Sequence, residues 1–296
     1  MLRILQKLLS GGKGMESVNQ RGYLNGNYRL FHSVDRRDMD FQSHCHDFHK
    51  VLLCLSGHVT YIMEGRTYRL APWDLMIIPE HQIHRSIFEG TEAYERMVLW
   101  ISDAYLRSFA DSVLADLFRL PFDARGGLIR LEAGARREAL EKLLALEKAQ
   151  KSEAPGHTLL ADTYLVQFLL CINGMIAGQA VPAEGAVSGD PRLDALLDHI
   201  NRNLGEDLSI EALSRLCFFS PSYLMHAFKR YTGCTVHRYV RQKRLISARS
   251  AIESGEPILT AARQVGFSDY SVFLRAFREM FGCMPSDLRQ KSESTD

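Results

Sequence analysis

The 296-residue chain contains no CxxC pair, no GxSxG, no HExxH and no glycine-rich loop of the phosphate-cradling kind. Each absence removes a class: the zinc ribbon, the elbow-type hydrolase, the zinc protease and the P-loop nucleotidase. No nucleophile and base stand in a recognisable arrangement, so no catalytic residue is assigned, no cofactor is expected and the chain reads as a non-enzyme. Its six cysteines (Cys45, Cys54, Cys171, Cys217, Cys234 and Cys283) are scattered, which fits reduced thiols in a cytoplasm better than a disulfide framework. The opening stretch, Met1 to Ser10, is too broken in its apolar runs for a signal-peptide core. It reads as a short amphipathic helix or as sequence upstream of a start at Met15. Long apolar runs are also scarce. The most apolar, Thr158 to Ala177, is interrupted by Asp162, Gln167 and Asn173, so a buried or dimer-facing helix is expected rather than a membrane span.

Strong net charge is missing too, at only +1 overall, but the average hides an uneven distribution. No acidic residue occurs between Glu211 and Glu253, while Arg215, Lys229, Arg230, Arg238, Arg241, Lys243, Arg244 and Arg249 all fall there. Such a run is either a solvated helical face or an electrostatic footprint for nucleic acid.

Hydrophobic periodicity divides the chain. From Tyr23 to Trp100 short β-rich runs (Val51–Leu55, Val59–Met63, Thr67–Leu70, Leu75–Ile78, Arg96–Ile101) alternate with Gly, Pro and Asp turns, predicting a sandwich or barrel. The period then becomes helical over Tyr105–Leu120, Ala133–Gln150 and Thr158–Ala177. Gly178 to Pro191 has no apolar period and reads as an interdomain linker. Six helices are expected after it: Arg192–Asn203, Ile210–Cys217, Ser222–Tyr231, Val236–Ile252, Ile258–Val265 and Tyr270–Phe281.

These last helices contain a duplication. At an offset of 49, Ala212–Cys234 matches Ala261–Cys283 at seven of twenty-three positions, among them Phe218 with Phe267, Phe228 with Phe277, and Gly233 with Gly282. Each copy is a short helix, a break and a second helix ending at Gly, the plan of a helix-turn-helix. Ser220-Pro221 predicts one N-cap, and Ser268 or Asp269 the other. By spacing, Phe228 and Phe277 are core. The seventeen residues of Val236–Ile252 span about 26 Å as a helix, a suitable spacer for two readers in successive major grooves, and its arginines and Lys243 are candidates for phosphate contact.

The stretch VGFSDYSVFLRAFREMFGCMPSDLR closely resembles the C-terminal signature of AraC-family transcription regulators, and LSIEALSRLCFFSPSYLMHAFKRYTGCTVHRYVRQKRL resembles the preceding half. The resemblance implies that double-stranded DNA is the partner. It places Ser222, Met225, His226 and Lys229 on the exposed face of the first recognition helix, and Tyr270, Ser271, Val272 and Arg275 on that of the second. Arg275 has the chemistry for a bidentate contact to guanine, whereas Met225 and Val272 offer only apolar contact such as a thymine methyl. Lys229, Arg230 and Arg278 are assigned to phosphates or to the solvated face. His226 stands where the family often has Arg, so weaker base reading is expected of the first helix.

Upstream, His44-Cys45-His46, Gly57, and Pro79 followed by His84 resemble the two motifs of the cupin barrel that serves as the AraC-family sensor, over about Tyr23–Ile101. The pattern departs from enzymatic cupins at His49-Lys50, where a carboxylate is common, and at Trp73, where a Gly usually precedes the Asp. Three readings of His44, His46 and His84 stay open: hydrogen-bonding a small effector, which is favoured and for which sugars are the common family precedent; ligating a metal; or no ligand duty.

The expected architecture is α+β and multidomain. It comprises a leader over 1–20, a cupin-like effector-sensing β-barrel over 21–104, a helical dimerisation segment over 105–178, a linker over 179–191 and an all-α double helix-turn-helix over 192–292. The expected function is a cytoplasmic, homodimeric transcription regulator, more in the manner of an activator, with RNA polymerase as a partner in that case and no membrane partner. The alternatives are a metal-dependent cupin enzyme fused to a DNA-binding module, and a constitutive DNA-binding protein whose barrel only dimerises.

Overall fold

A computed structural model describes residues 24, 26–36, 39–41, 43–88, 92–119, 127–178, 186–187 and 190–288. The expected leader and most of the expected linker lie outside these residues. The N-terminal half contains strands β1 (Tyr28–Asp35), β2 (Met39–Asp40), β3 (His49–Ser56), β4 (Val59–Met63), β5 (Arg66–Leu70), β6 (Asp74–Ile78), β7 (His84–Phe88) and β8 (Tyr94–Ile101). Helices α1 (Asp103–Arg107) and α2 (Val113–Asp116), strand β9 (Leu128–Arg130), helices α3 (Ala133–Gln150) and α4 (His157–Gly178), and strand β10 (Ala186–Val187) follow.

The strands form two five-stranded sheets, β1-β8-β3-β6-β9 and β10-β5-β4-β7-β2. Among the described residues they pair as two separate sheets and do not close into one barrel. Alternation along β3 shows why the domain has two cores. Leu52 and Cys54 face the second sheet with Tyr61, Tyr68, Met76, Phe88 and Val98. Val51 and Leu53 face the other way, onto a helical layer containing Leu143, Leu146, Leu165, Phe168 and Ile172.

Among the described residues, Glu64, Trp73, His81 and Phe218 carry left-handed backbone. In the β4–β5 hairpin, Met63 pairs with Arg66, and both loop residues, Glu64 at φ 47° and Gly65 at φ 80°, have positive φ. This matches the primed turn that the twist of two antiparallel strands favours. Trp73 has φ 73°, so it adopts the conformation that Gly would take without a Cβ penalty at the position where the cupin pattern has Gly.

Two segments differ from the sequence expectation. The helix expected over Tyr105–Leu120 is broken into α1 and α2. Ser108 Oγ donates to Tyr105 O and Asp111 Oδ1 accepts from Val113 N, so polar side chains offer the backbone turn-like alternatives to a continuous helix. The linker expected from Gly178 to Pro191 holds a strand, because Ala186 and Val187 pair antiparallel with Tyr68 and Thr67.

The C-terminal half is all-helical: α5 (Pro191–Arg202), α6 (Ile210–Cys217), α7 (Pro221–Thr232), α8 (Val236–Glu253), α9 (Ile258–Gln264) and α10 (Tyr270–Phe281). It has two separate cores. One joins α5, α6, α7 and the start of α8 around Leu196, Ile200, Leu224, Phe228 and Tyr239, and takes in Ile83 from the β domain. The other joins the end of α8 to α9 and α10 around Leu245, Ile252, Phe273 and Phe277.

Candidate DNA interface and sensor site

The capping chemistry of α7 and α10 sets where each recognition face begins. Ser220 Oγ accepts from Tyr223 N at 3.3 Å, with Pro221 opening α7. At α10 the cap is Asp269, whose Oδ1 accepts from both Ser271 N and Val272 N. Both helices end on a left-handed glycine, Gly233 and Gly282, which satisfies the final carbonyls without side-chain strain. Ser220→Ala is expected to cost about 1 kcal/mol of stability in the first unit. Asp269→Ala should cost at least as much in the second, because two N–H groups lose their acceptor. Urea unfolding of both variants checks this, and unchanged midpoints would exclude the capping role.

Phe228 and Phe277 are fully buried, so the opposite sides of α7 and α10 face solvent. Ser222, Met225, His226 and Lys229 are all exposed on α7, as are Tyr270, Ser271, Val272, Arg275 and Arg278 on α10. Every DNA-reading position expected from the sequence therefore lies on an open helical face. The two copies differ at the break. Phe267 packs against Phe273 at 5.2 Å between ring centroids, whereas its sequence counterpart Phe218 is 93% exposed with φ 56°.

The basic run is used differently from the expectation. Arg244 donates to three carbonyls, Leu204 O, Glu206 O and Gly266 O, at 2.9–3.0 Å, and so ties the first unit to the turn of the second. Arg241 pairs with Glu279 across to α10. Arg238, Lys243 and Arg249 point at the β domain: Arg238 donates to Ser43 O at 2.9 Å, Lys243 to Glu64 at 2.7 Å and Arg249 to Asp47 at 3.2 Å. These five cations of α8 thus all have partners within the protein.

The β-domain side of that contact was not foreseen from sequence. Glu64, held out by its left-handed turn, accepts from Lys243 Nζ and Ile83 N at 2.7 Å, and from the Tyr239 hydroxyl. Burial and the Glu64 carboxylate keep the Tyr239 phenol protonated far above its ordinary range. A Cβ on Gly65 would lie 2.5 Å from the Tyr231 ring and 2.6 Å from Leu197, so the close approach of the two halves needs glycine there. Ser43 Oγ donates to Thr232 O at 3.1 Å. In sequence Glu64-Gly65 signals only a turn; its partners Tyr239 and Lys243 lie 175 and 179 residues away.

The three predicted histidines come together. His44 N donates to His84 O at 3.0 Å and His84 N to His44 O at 2.9 Å. Ring centroids are 4.5 Å apart for His44 and His84, 4.9 Å for His46 and His84, and 6.3 Å for His44 and His46. His46 Nδ1 lies 2.6 Å from Phe48 O, and His84 Nδ1 lies 2.9 Å from Gln82 O. A carbonyl only accepts, so each Nδ1 carries the proton. Burial pushes both imidazoles well below their ordinary pKa, aided by the positive charge of Lys50; they are neutral, and each Nε2 is a lone-pair acceptor. Neither Nε2 has a hydrogen-bonding partner among the described residues. Lys50 itself is lowered to about 8 by burial and then by Arg96.

His49, Glu80 and Asp103 bring possible ligand atoms within 4.8 Å of one another, but their protons are already committed. His49 Nδ1 accepts from Glu80 N at 3.0 Å, so Nε2 carries the hydrogen that faces Asp103 Oδ1 at 3.2 Å. His49 therefore has no lone pair to offer a metal and serves as a buried strut stacked on Phe118.

The model of the AraC-like ligand binding domain family matches residues 28–169, and that of the helix-turn-helix domain matches residues 213–291. The chain belongs to the AraC family of DNA-binding transcription regulators. It is 25% identical over 257 residues to the HTH-type transcriptional activator RhaS of Salmonella schwarzengrund, covering 84% of this chain and 88% of the relative. To RhaS of Pectobacterium atrosepticum it is 25% identical over 262 residues, covering 86% and 90%. Among solved structures, ToxT from Vibrio cholerae aligns over 89% of this chain and 97% of its own, at 12% identity and a TM-score of 0.40. The β-rich half and the helical half correspond to the two family domains, and of the two helix-turn-helix units the first shares a core with the β domain through Ile83.

Proposed function

We propose that this AraC-family chain is a transcription activator that reads an operator through α7 and α10 and answers to a small effector at His44, His46 and His84. The observation that carries the DNA part is the pair of capped helices with their candidate reading residues exposed. Arg275 makes no ion pair among the described residues and stands one turn from the N-terminus of α10. It is assigned to base reading, with Tyr270, Ser271 and Val272 beside it and Arg278 on phosphate. On α7, Ser222, Met225 and His226 make weaker or apolar contacts supported by Lys229. Arg275→Ala is expected to weaken specific operator binding by about tenfold or more, from the 1–3 kcal/mol of a bidentate contact, with little change on random DNA. Binding titrations on both DNAs check it, and equal affinity of variant and parent for the operator would sink the assignment.

Activation, and with it contact to RNA polymerase, is supported by the RhaS relatives, which are named as activators. A cytoplasmic homodimer fits the exposed Leu159, Leu160 and Leu170 of α4. By length and composition α4 could cross a membrane, with a mean hydropathy of 1.6 over His157–Ile176. Its other face is already packed through Leu165, Phe168, Leu169 and Ile172, and Asp162 accepts from the Tyr28 hydroxyl at 2.8 Å, which favours a partner helix over lipid.

A further inference from the structure

We propose that Phe218, on the turn of the first helix-turn-helix, is a further base-reading residue that selects a thymine by its C5-methyl group. This rests on the reading of α7 as the first DNA reader and adds the chemistry by which that reader discriminates.

Phe218 is anomalous in two respects. It closes α6 with left-handed backbone, φ 56°, and its side chain is 93% exposed. The second unit breaks in the same way: Phe219 N donates to Ser214 O at 3.1 Å and Phe267 N to Ala262 O at 3.0 Å, each reaching back over the turn. The residue just before that donor is Phe218 in one unit and Gly266, at φ 86°, in the other. The backbone there suits glycine, so a phenylalanine costs both strain and exposed apolar surface. Packing within the protein does not offset these costs. A groove of about 600 Å³ stays open beside the ring, lined by Ser214, Arg215, Phe219 and Pro221. Among the described residues, the ring contacts of this turn belong to Phe219, which meets Tyr223 at 4.8 Å between centroids and Arg192 at 4.4 Å. Strain kept without a packing return marks a functional position.

The place of Phe218 says what it meets. It stands two residues before Ser220, the N-cap of α7, and the N-terminal end of a recognition helix is the part that reaches base edges. Tyr223 and Met225, both about half exposed, extend the apolar surface onto α7. Arg215, exposed one turn back on α6, offers a cation to a flanking phosphate. None of Ser222, Met225, His226 and Lys229 carries the two-donor fork of Arg275. A phenyl ring has no hydrogen bond to give, and the apolar group that a base pair shows in the major groove is the thymine methyl. The first reader therefore recognises thymine by apolar contact, where the second is assigned guanine through Arg275.

The test uses the full-length chain. Parent, Phe218→Asn and Arg275→Ala each select binding sites from a random duplex library. The parent's preferred site is then remade with deoxyuridine at each thymine in turn, which removes only the methyl. One thymine, outside the part of the site that Arg275→Ala relaxes, is expected to lose about fourfold in affinity, the scale of one buried methyl. Phe218→Asn should bind thymine and uracil there equally. It should also unfold at no lower temperature than the parent, since Asn tolerates left-handed backbone and exposes no ring. Selection of the same thymine by Phe218→Asn, with the same uracil penalty, overturns the proposal while the assignment of α7 and α10 as readers stands. A lower unfolding temperature in Phe218→Asn would make the ring structural and overturns it too. Unchanged DNA binding by Phe218→Asn, with loss of transcription by purified RNA polymerase, overturns it in favour of a protein partner on this patch. A parent that selects no sequence at all overturns the operator reading itself, and this proposal with it.

Discussion

Replacing Glu64 with Ala is expected to release the DNA-binding half from the β domain at a cost of about 3–5 kcal/mol, the scale seen when one member of a buried charged network is removed. One carboxylate serves Lys243, the Tyr239 hydroxyl and Ile83 N, and Lys243 and Glu64 are both less than one-fifth exposed. With it gone, three donors lose their acceptor while remaining packed between the halves. Amide hydrogen exchange should accelerate through residues 231–243 and 81–84, with the second reader unaffected. Adding Lys243→Met to Glu64→Ala should recover part of the loss, because no unpaired ammonium then remains in the contact. Unchanged exchange in Glu64→Ala would mean that the two halves are held without Glu64, by apolar contact and by the bonds of Ser43 and Asp47 to Thr232, Arg238 and Arg249. The same variant should change operator affinity without ligand, since it removes a restraint on α8, the helix that spaces the two readers.

Phe277→Ala should be the most damaging single truncation in the second reader, at about 3–5 kcal/mol, and should abolish sequence-specific binding although Phe277 is fully buried. The aromatic chain of Phe267, Phe273, Phe277 and Phe281 has ring centroids 4.6–5.5 Å apart, and Phe277 stands in its middle. Because this core is separate from the one around Phe228, denaturation followed by circular dichroism should show an early transition confined to the second unit. Phe228→Ala should instead weaken the first unit together with its attachment to the β domain, through the core that includes Ile83. Identical unfolding profiles for the two variants would show that the units share one cooperative core after all.

Much of this protein was legible because its elements are set by local rules. Period and capping placed α6, α8 and α10 to within a residue or so, and the duplicated Phe228 and Phe277 followed from spacing alone. The exposed reading face was legible for the same reason: a helix with one apolar stripe leaves the residues between its core positions in water. The three histidines were legible as a set through motif resemblance and alternation. Their tautomers were not, because those depend on which carbonyl each Nδ1 meets.

The basic run of α8 marks the limit. By sequence its positive charge meets an acidic residue on its own helix only at Glu253, which pairs with Arg249, and suggests DNA; in the fold, Glu64, Asp47 and Glu279 also arrive from other elements and pair with it. Ion pairing depends on distance in space, which composition and period do not encode, and a left-handed hairpin turn decides where Glu64 points. The absence of catalytic motifs, the helical duplication and the exposed faces of α7 and α10 were determined by the sequence itself. Which reader is fastened to the sensor, and by which charges, was decided only by tertiary structure, since contacts across some 175 residues of chain leave no local signature.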